Sequence, residues 1–263
     1  MKGIICYYSG SGNTKLACQY IAKKIKSVEF DLCNIVKDDK PDLNEYDVVG
    51  FATWTDFMGA PQLFHSFIEK IELKTDKPAF IFNTYGAMSG KTLRDMENTV
   101  KSKGFNVICG HSLHTPENYP PSITRGMGFR NSPNKRSLKK FDAFITELEN
   151  TLIDLKQNKT LQQTKIKLSL LNSILPKSPR TKAREDMGEK FIDETLCNEC
   201  GICEESCPYG AIELNSKPVF DMDRCYGCWA CYNHCPQKAI YTKKVRGKGH
   251  YPKPNEQLLK KLN

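Results

Sequence analysis

The sequence predicts a doubly wound α/β domain built on a parallel sheet, followed by a small cysteine-rich unit. Three observations carry this. Short apolar runs alternate with amphipathic stretches over the first 115 or so residues, a Ser/Gly loop directly follows the first run, and eight cysteines crowd between Cys197 and Cys235. At 263 residues the chain has room for one ordinary domain and a smaller one.

Runs rich in Ile, Val and Phe at 3–8, 28–34, 47–52, 79–83 and 105–113 read as strands. Helical patterns at 14–27, 61–72 and 91–103 separate them, as in successive βαβ units. A last helix near 137–155 closes the layer, so the first domain is expected over 1–155. Residues 156–190 are Lys-rich, contain Pro176 and Pro179, and read as a basic linker with one helical segment near 161–174. The cysteine-rich unit is expected over 191–241 and a basic tail over 242–263.

A hydrophobic content of 39% supports a buried core. The mean hydropathy is −0.52, and no stretch approaches the roughly 18 apolar residues of a spanning helix. The opening run, Met1 to Tyr8, has neither the length nor the cleavage site of a signal peptide. These readings place the chain in the cytoplasm and off the membrane. Cys6, Cys18, Cys33 and Cys109 lie among apolar neighbours and read as buried core thiols.

Cys197, Cys200, Cys203 and Cys207-Pro208 have the spacing C-x2-C-x2-C-x3-C-P. Cys225, Cys228, Cys231 and Cys235-Pro236 repeat it 28 residues later. Three close-set thiolates on a tight loop hold three irons of one cubane, and in this architecture the fourth ligand comes from the other half. One [4Fe–4S] cluster is therefore assigned to Cys197, Cys200, Cys203 and Cys235. The second takes Cys225, Cys228, Cys231 and Cys207. Gly201 and Gly227 let the backbone wrap tightly. Structural zinc is the competing reading, but it prefers two widely separated C-x2-C pairs. The run resembles bacterial-type two-cluster ferredoxins over 191–241.

The Ser/Gly loop is Ser9-Gly10-Ser11-Gly12-Asn13-Thr14, with a helix after it. Small hydroxyls and backbone N–H groups at a helix N-terminus form a phosphate site. The lysine of a P-loop is missing, and Lys15 stands where a G-x-G-x-x-G motif needs its third glycine. The loop looks like the flavodoxin signature [ST]-x-[ST]-G-x-T. That likeness implies a flavodoxin-like five-stranded sheet, order 2-1-3-4-5, with FMN at the crevice above strands one and three. The third strand would end in Thr53, Trp54, Thr55 and Gly59. The fourth would end in Asn83, Thr84, Tyr85, Gly86, Ser89 and Gly90. Trp54 or Tyr85 is expected to stack on the flavin, and Gly59 or Gly86 to face its polar edge.

From end to end the chain resembles the flavodoxin–ferredoxin fusion proteins, sometimes called ferrodoxins. The resemblance implies FMN, two [4Fe–4S] clusters and electron transfer to redox partner proteins such as ferredoxin-dependent oxidoreductases or flavoproteins, in an anaerobic cytoplasm. Cluster and flavin charges would bring the formal +9 down to about +3, and no basic block reads as a nucleic-acid patch. No catalytic constellation stands out among five histidines. An electron carrier or adaptor is therefore the leading reading. A ferredoxin-fed FMN reductase acting on a small molecule is the second, and a regulatory module with structural clusters the third. The Pro/Gly-rich segment with His111, His114, Asn118 and Tyr119 is read either as a contact between flavin and cluster or as a surface loop.

Overall fold

The structure, a computed structural model, describes residues 1–159 and 181–263. The helical segment expected at 161–174 lies outside the described residues. Five strands, β1 (Lys2–Tyr7), β2 (Glu29–Asn34), β3 (Val48–Trp54), β4 (Lys77–Tyr85) and β5 (Phe105–His114), form one parallel sheet in the order β2-β1-β3-β4-β5. This is the flavodoxin-like topology that the alternating pattern predicts.

The helices fall on two faces because successive strand side chains point opposite ways. Ile5, Tyr7, Phe80 and Phe82 pack under α1 (Asn13–Lys24) and α5 (Lys135–Lys156). Their neighbours Ile4, Cys6, Ala79 and Ile81 pack under α2 (Gln62–Glu69) and α3 (Thr92–Lys101). Burial on both faces explains why these strands read as continuous apolar runs. Phe82 and Phe141 stack at 5.3 Å, and burying each such ring stabilises the domain by roughly 1.5–3 kcal/mol. Cys6, Cys18, Cys33 and Cys109 are buried.

Strands β4 and β5 run past their apolar stretches to Tyr85 and His114, because backbone pairing continues through Asn83 opposite Ser112 and Thr84 opposite Leu113. Hydropathy alone ends them early. The extra residues are the polar ones at the carboxyl end of the sheet. A short helix, α4 (Pro120–Thr124), follows.

The cysteine-rich part begins with α6 (Thr181–Met187) and two small antiparallel pairs. Strand β6 (Lys190–Ile192) pairs with β9 (Ile240–Thr242), and β7 (Ile212–Asn215) pairs with β8 (Lys217–Phe220). Helices α7 (Ile202–Glu205) and α8 (Ala230–His234) lie between. The 28-residue repeat extends to the backbone. Cys197 N–H donates to Asp193 O as Cys225 N–H does to Asp221 O. Glu199 and Gly201 have positive φ, and so do their counterparts Gly227 and Trp229. Each half needs two left-handed residues around its second cysteine, and glycine fills a different one of the two positions in each half.

Residues 242–263, expected as a basic tail, turn back over the first domain. Tyr251 is buried, and α9 (Glu256–Leu262) inserts Leu258 and Leu262 into the core beside α1 and α5. The Asn255 side chain caps α9 by accepting from Leu258 N–H.

Candidate functional site

At the carboxyl end of the sheet, loops after β1, β3, β4 and β5 enclose a narrow cleft of about 320 Å³. Ser9, Gly10, Ser11, Asn13, Thr14, Trp54, Thr55, Thr84, Tyr85 and Gly86 line it, all of them expected from the sequence. Gly12 caps α1 with φ +91°, and a Cβ there would lie 2.9 Å from Pro254. Among the described residues, the backbone N–H groups of Ser11 to Thr14 meet no acceptor. They form a concave set of donors beside the Ser9 and Ser11 hydroxyls, at the positive end of a 12-residue helix. Thr14 Oγ1 lies 2.8 Å from Thr84 Oγ1, tying the first loop to the fourth strand.

The buried Trp54 Nε1 and Thr53 Oγ1 have no hydrogen-bond partner. Unsatisfied buried polar groups are costly, and at a cleft edge they suit a polar, planar ligand. The donor loop, the orphaned indole N–H and the flanking aromatic rings fit FMN. Tyr85 already stacks one face on His114 at 5.2 Å. The remaining expected residues sit behind the cleft. Asn83 links Thr55 Oγ1 to Ser112 Oγ. Gly59 bridges Asp56, while Ser89 O accepts from Thr92 Oγ1 and Gly90 packs on Met58.

Four lining residues, Thr115, Pro116, Glu117 and Asn118, come from the Pro/Gly-rich segment. Glu117 was missed by sequence reasoning; its only mark is being the single carboxylate just past β5. It accepts from the N–H groups of Ala87, Asn118 and Tyr119, and its carboxylate occupies the space a Gly86 side chain would need. Burial raises its pKa, against the pull of the Ala87 and Asn118 N–H groups. Asn118 Nδ2 reaches Ser11 Oγ at 3.1 Å. Tyr119 stands edge-on between Phe57 and Trp229. The histidines of the segment do something else. His111 lies against Phe141 and Phe144, and burial, aided by the Lys140 charge, lowers its pKa to about 4. It is a neutral core ring.

The eight cysteines form two quartets of unequal setting. Cys197, Cys200, Cys203 and Cys235 line one apolar hollow with Leu214, Pro218 and Ile240, and Cys200 is exposed. The quartet of Cys207, Cys225, Cys228 and Cys231 faces the first domain. Its sulfurs act on the buried Tyr8, whose pKa is raised first by burial and then by the Cys228, Asp56 and Cys207 charges. Tyr8 in turn packs on Trp54 at 5.9 Å. In both halves a backbone N–H points at the fourth sulfur, from Ala211 to Cys207 and from Ala239 to Cys235, at 3.3 Å. Paired N–H···S contacts and tight left-handed loops suit thiolates bound to iron–sulfur clusters.

Side chains join the two parts around this quartet. Tyr226 Oη donates to Asp56 Oδ2 at 2.5 Å, and His234 Nε2 lies 2.9 Å from Gly10 O. Asn233 Nδ2 donates to Asn118 O at 2.9 Å, and Tyr251 Oη to Asn13 Oδ1 at 3.0 Å. Among the described residues no helix is long and apolar enough to cross a membrane.

Comparison with known proteins agrees with both halves. A flavodoxin domain model matches residues 4–109, and a 4Fe-4S dicluster domain model matches 196–239. The chain is 31% identical over 154 residues to the uncharacterized protein MJ0298 of Methanocaldococcus jannaschii, covering 56% of this chain and 98% of that one. It is 41% identical over 51 residues to a ferredoxin of Pyrobaculum islandicum, covering 19% of this chain and 48% of the ferredoxin. It is 40% identical over 50 residues to pyruvate synthase subunit PorD of Methanothermobacter marburgensis, covering 19% of this chain and 59% of that subunit. Among solved structures, a flavodoxin from the domain Archaea superposes with a TM-score of 0.44 at 17% identity, over 58% of this chain and 99% of that one. A flavodoxin domain followed by a 4Fe-4S dicluster domain makes this chain a member of the flavodoxin–ferredoxin fusion family, with a role in electron transfer.

Proposed function

We propose that the chain relays electrons between two [4Fe–4S] clusters and an FMN, and serves as an adaptor between redox partner proteins. One observation carries the reading. The quartet of Cys207, Cys225, Cys228 and Cys231 stands against Tyr8, and Tyr8 packs on Trp54 at the edge of the cleft. When bound, clusters pass single electrons and FMN takes one or two, so the pair converts between the two modes.

The residues have separate tasks. The loop from Ser9 to Thr14 binds the phosphate, with Asn118 closing over Ser11. Trp54 and Tyr85 flank the ring. Asp56 and Tyr226 fix the second quartet over the cleft, and Tyr119 with Trp229 excludes water from the seam. Exposed Cys200 puts the first quartet at the surface, where a partner protein would deliver or collect charge. The relatives named as oxidoreductase subunits suggest partners of that class.

The test is anaerobic stepwise reduction of the full chain reconstituted with FMN, iron and sulfide, following flavin absorbance and cluster EPR together. Flavin reduction that tracks the clusters on an intramolecular timescale, independent of protein concentration, is expected. Flavin that fails to bind, or never exchanges electrons with the clusters, overturns the relay.

A further inference from the structure

The two quartets differ in one charge. Lys190 opens β6 and is buried at 6% exposure, with Nζ 2.6 Å from Cys225 Sγ. Its other neighbours are Met222 Sδ at 3.5 Å and the face of Phe220 at 5.0 Å. Among the described residues no carboxylate pairs with it. A buried ammonium without a counter-ion is unfavourable, so its partner must be negative charge at the sulfur it touches.

The other half of the repeat answers with Lys217, which opens β8 as Lys190 opens β6. Lys217 reaches the Cys197 backbone carbonyl at 3.1 Å and not a sulfur. It pairs with Glu199 at 2.8 Å, and its side chain is 33% exposed. Its charge is cancelled by Glu199 and screened by water. The first quartet therefore receives little net field, and the second receives a whole, desolvated positive charge through a charge-assisted N–H···S bond.

We infer that Lys190 is a positioning residue for potential: it splits two otherwise matched cluster sites, making the one held by Cys207, Cys225, Cys228 and Cys231 the easier to reduce. The inference rests on the relay reading for its purpose, since the favoured site is the one beside the flavin cleft. Reduction there adds one electron, breaks no bond and moves no proton. The added negative charge is stabilised by the ammonium already in place. An electron entering near Cys200 would settle next to Tyr8, where the cleft begins.

The test is an EPR-monitored anaerobic titration of the full chain with clusters rebuilt from iron and sulfide, run without FMN. In the native chain the two sites should reduce in separate steps. Lys190→Met should make the first step harder by at least about tenfold in its equilibrium constant, about 59 mV for one electron. Lys190→Arg should keep it close to native. Superimposable titrations of native and Lys190→Met protein at equal iron content overturn the inference. If Lys190→Met loads no iron, a Lys217→Arg chain grown with ¹⁵N-lysine decides. ENDOR on the first-reduced cluster should show lysine nitrogen coupling, and its absence overturns the inference. A shifted titration with indifferent flavin would remove only the relay. Coincident titrations with flavin still following the clusters would remove only the role of Lys190.

Discussion

The two parts of this molecule keep their shape by different means. The first domain has two hydrophobic layers, with Phe80, Phe82, Phe141 and Leu148 on one side of the sheet and Phe51, Phe64, Ile68 and Met96 on the other. Its cleft is made of loops that add little to that core. The second part has one small cluster around Trp229 and Tyr232, and Cys203 and Cys231 are among its members. There the ligands are the core. The difference teaches that binding can be added to a stable fold, or can be what holds a fold together.

Stripping iron with a chelator under reducing conditions should break the comparison most severely. Metal-site free energy in such a unit is folding free energy. Amides of 190–242 should then exchange at least about 100-fold faster by hydrogen-exchange mass spectrometry, while those of β1, β3 and β4 stay protected. Equal loss in both parts would show that the cores are not independent. Phe82→Ala makes the opposite cut. It should cost about 3–5 kcal/mol in denaturant unfolding of the first domain, with unchanged iron per chain.

A smaller effect sharpens the contrast inside the cleft. The Glu117 pKa is raised by burial, so its protonated form is favoured in the fold. The stability it contributes is full below its ordinary value and is lost as pH rises through the folded value. Glu117→Gln should therefore gain thermal stability over the native chain between about pH 5 and 7 and lose that advantage in acid. A difference that does not vary with pH would assign the three N–H contacts, and not the charge, as the reason for Glu117.

Hydropathy and spacing carried most of this into view. The strand order follows from the alternation of runs. The Ser9–Thr14 loop and the eight cysteines announce their chemistry because that chemistry requires particular residue types at fixed intervals. Contacts across long separations left no such trace. Tyr226 and Asp56 stand 170 residues apart, and Tyr251 and Asn13 stand 238 apart. Each is an ordinary polar residue in its own neighbourhood. Lys190 was one lysine in a basic stretch until β6 and β9 carried it under Cys225. Residues 242–263 looked like a solvated tail because their lysines outnumber the two leucines that reach the core.

Those two leucines bear on the order of events at the ribosome. Helix α1 emerges early, yet Leu258 and Leu262, which cover it, are made some 240 residues later. At roughly 5–20 residues per second, the nascent first domain waits on the order of ten seconds or more with part of its apolar face uncovered. During that interval both cysteine runs are synthesised. Closure of the oldest part of the chain thus comes only after all the cluster ligands exist, which makes translation itself a timer for cofactor insertion.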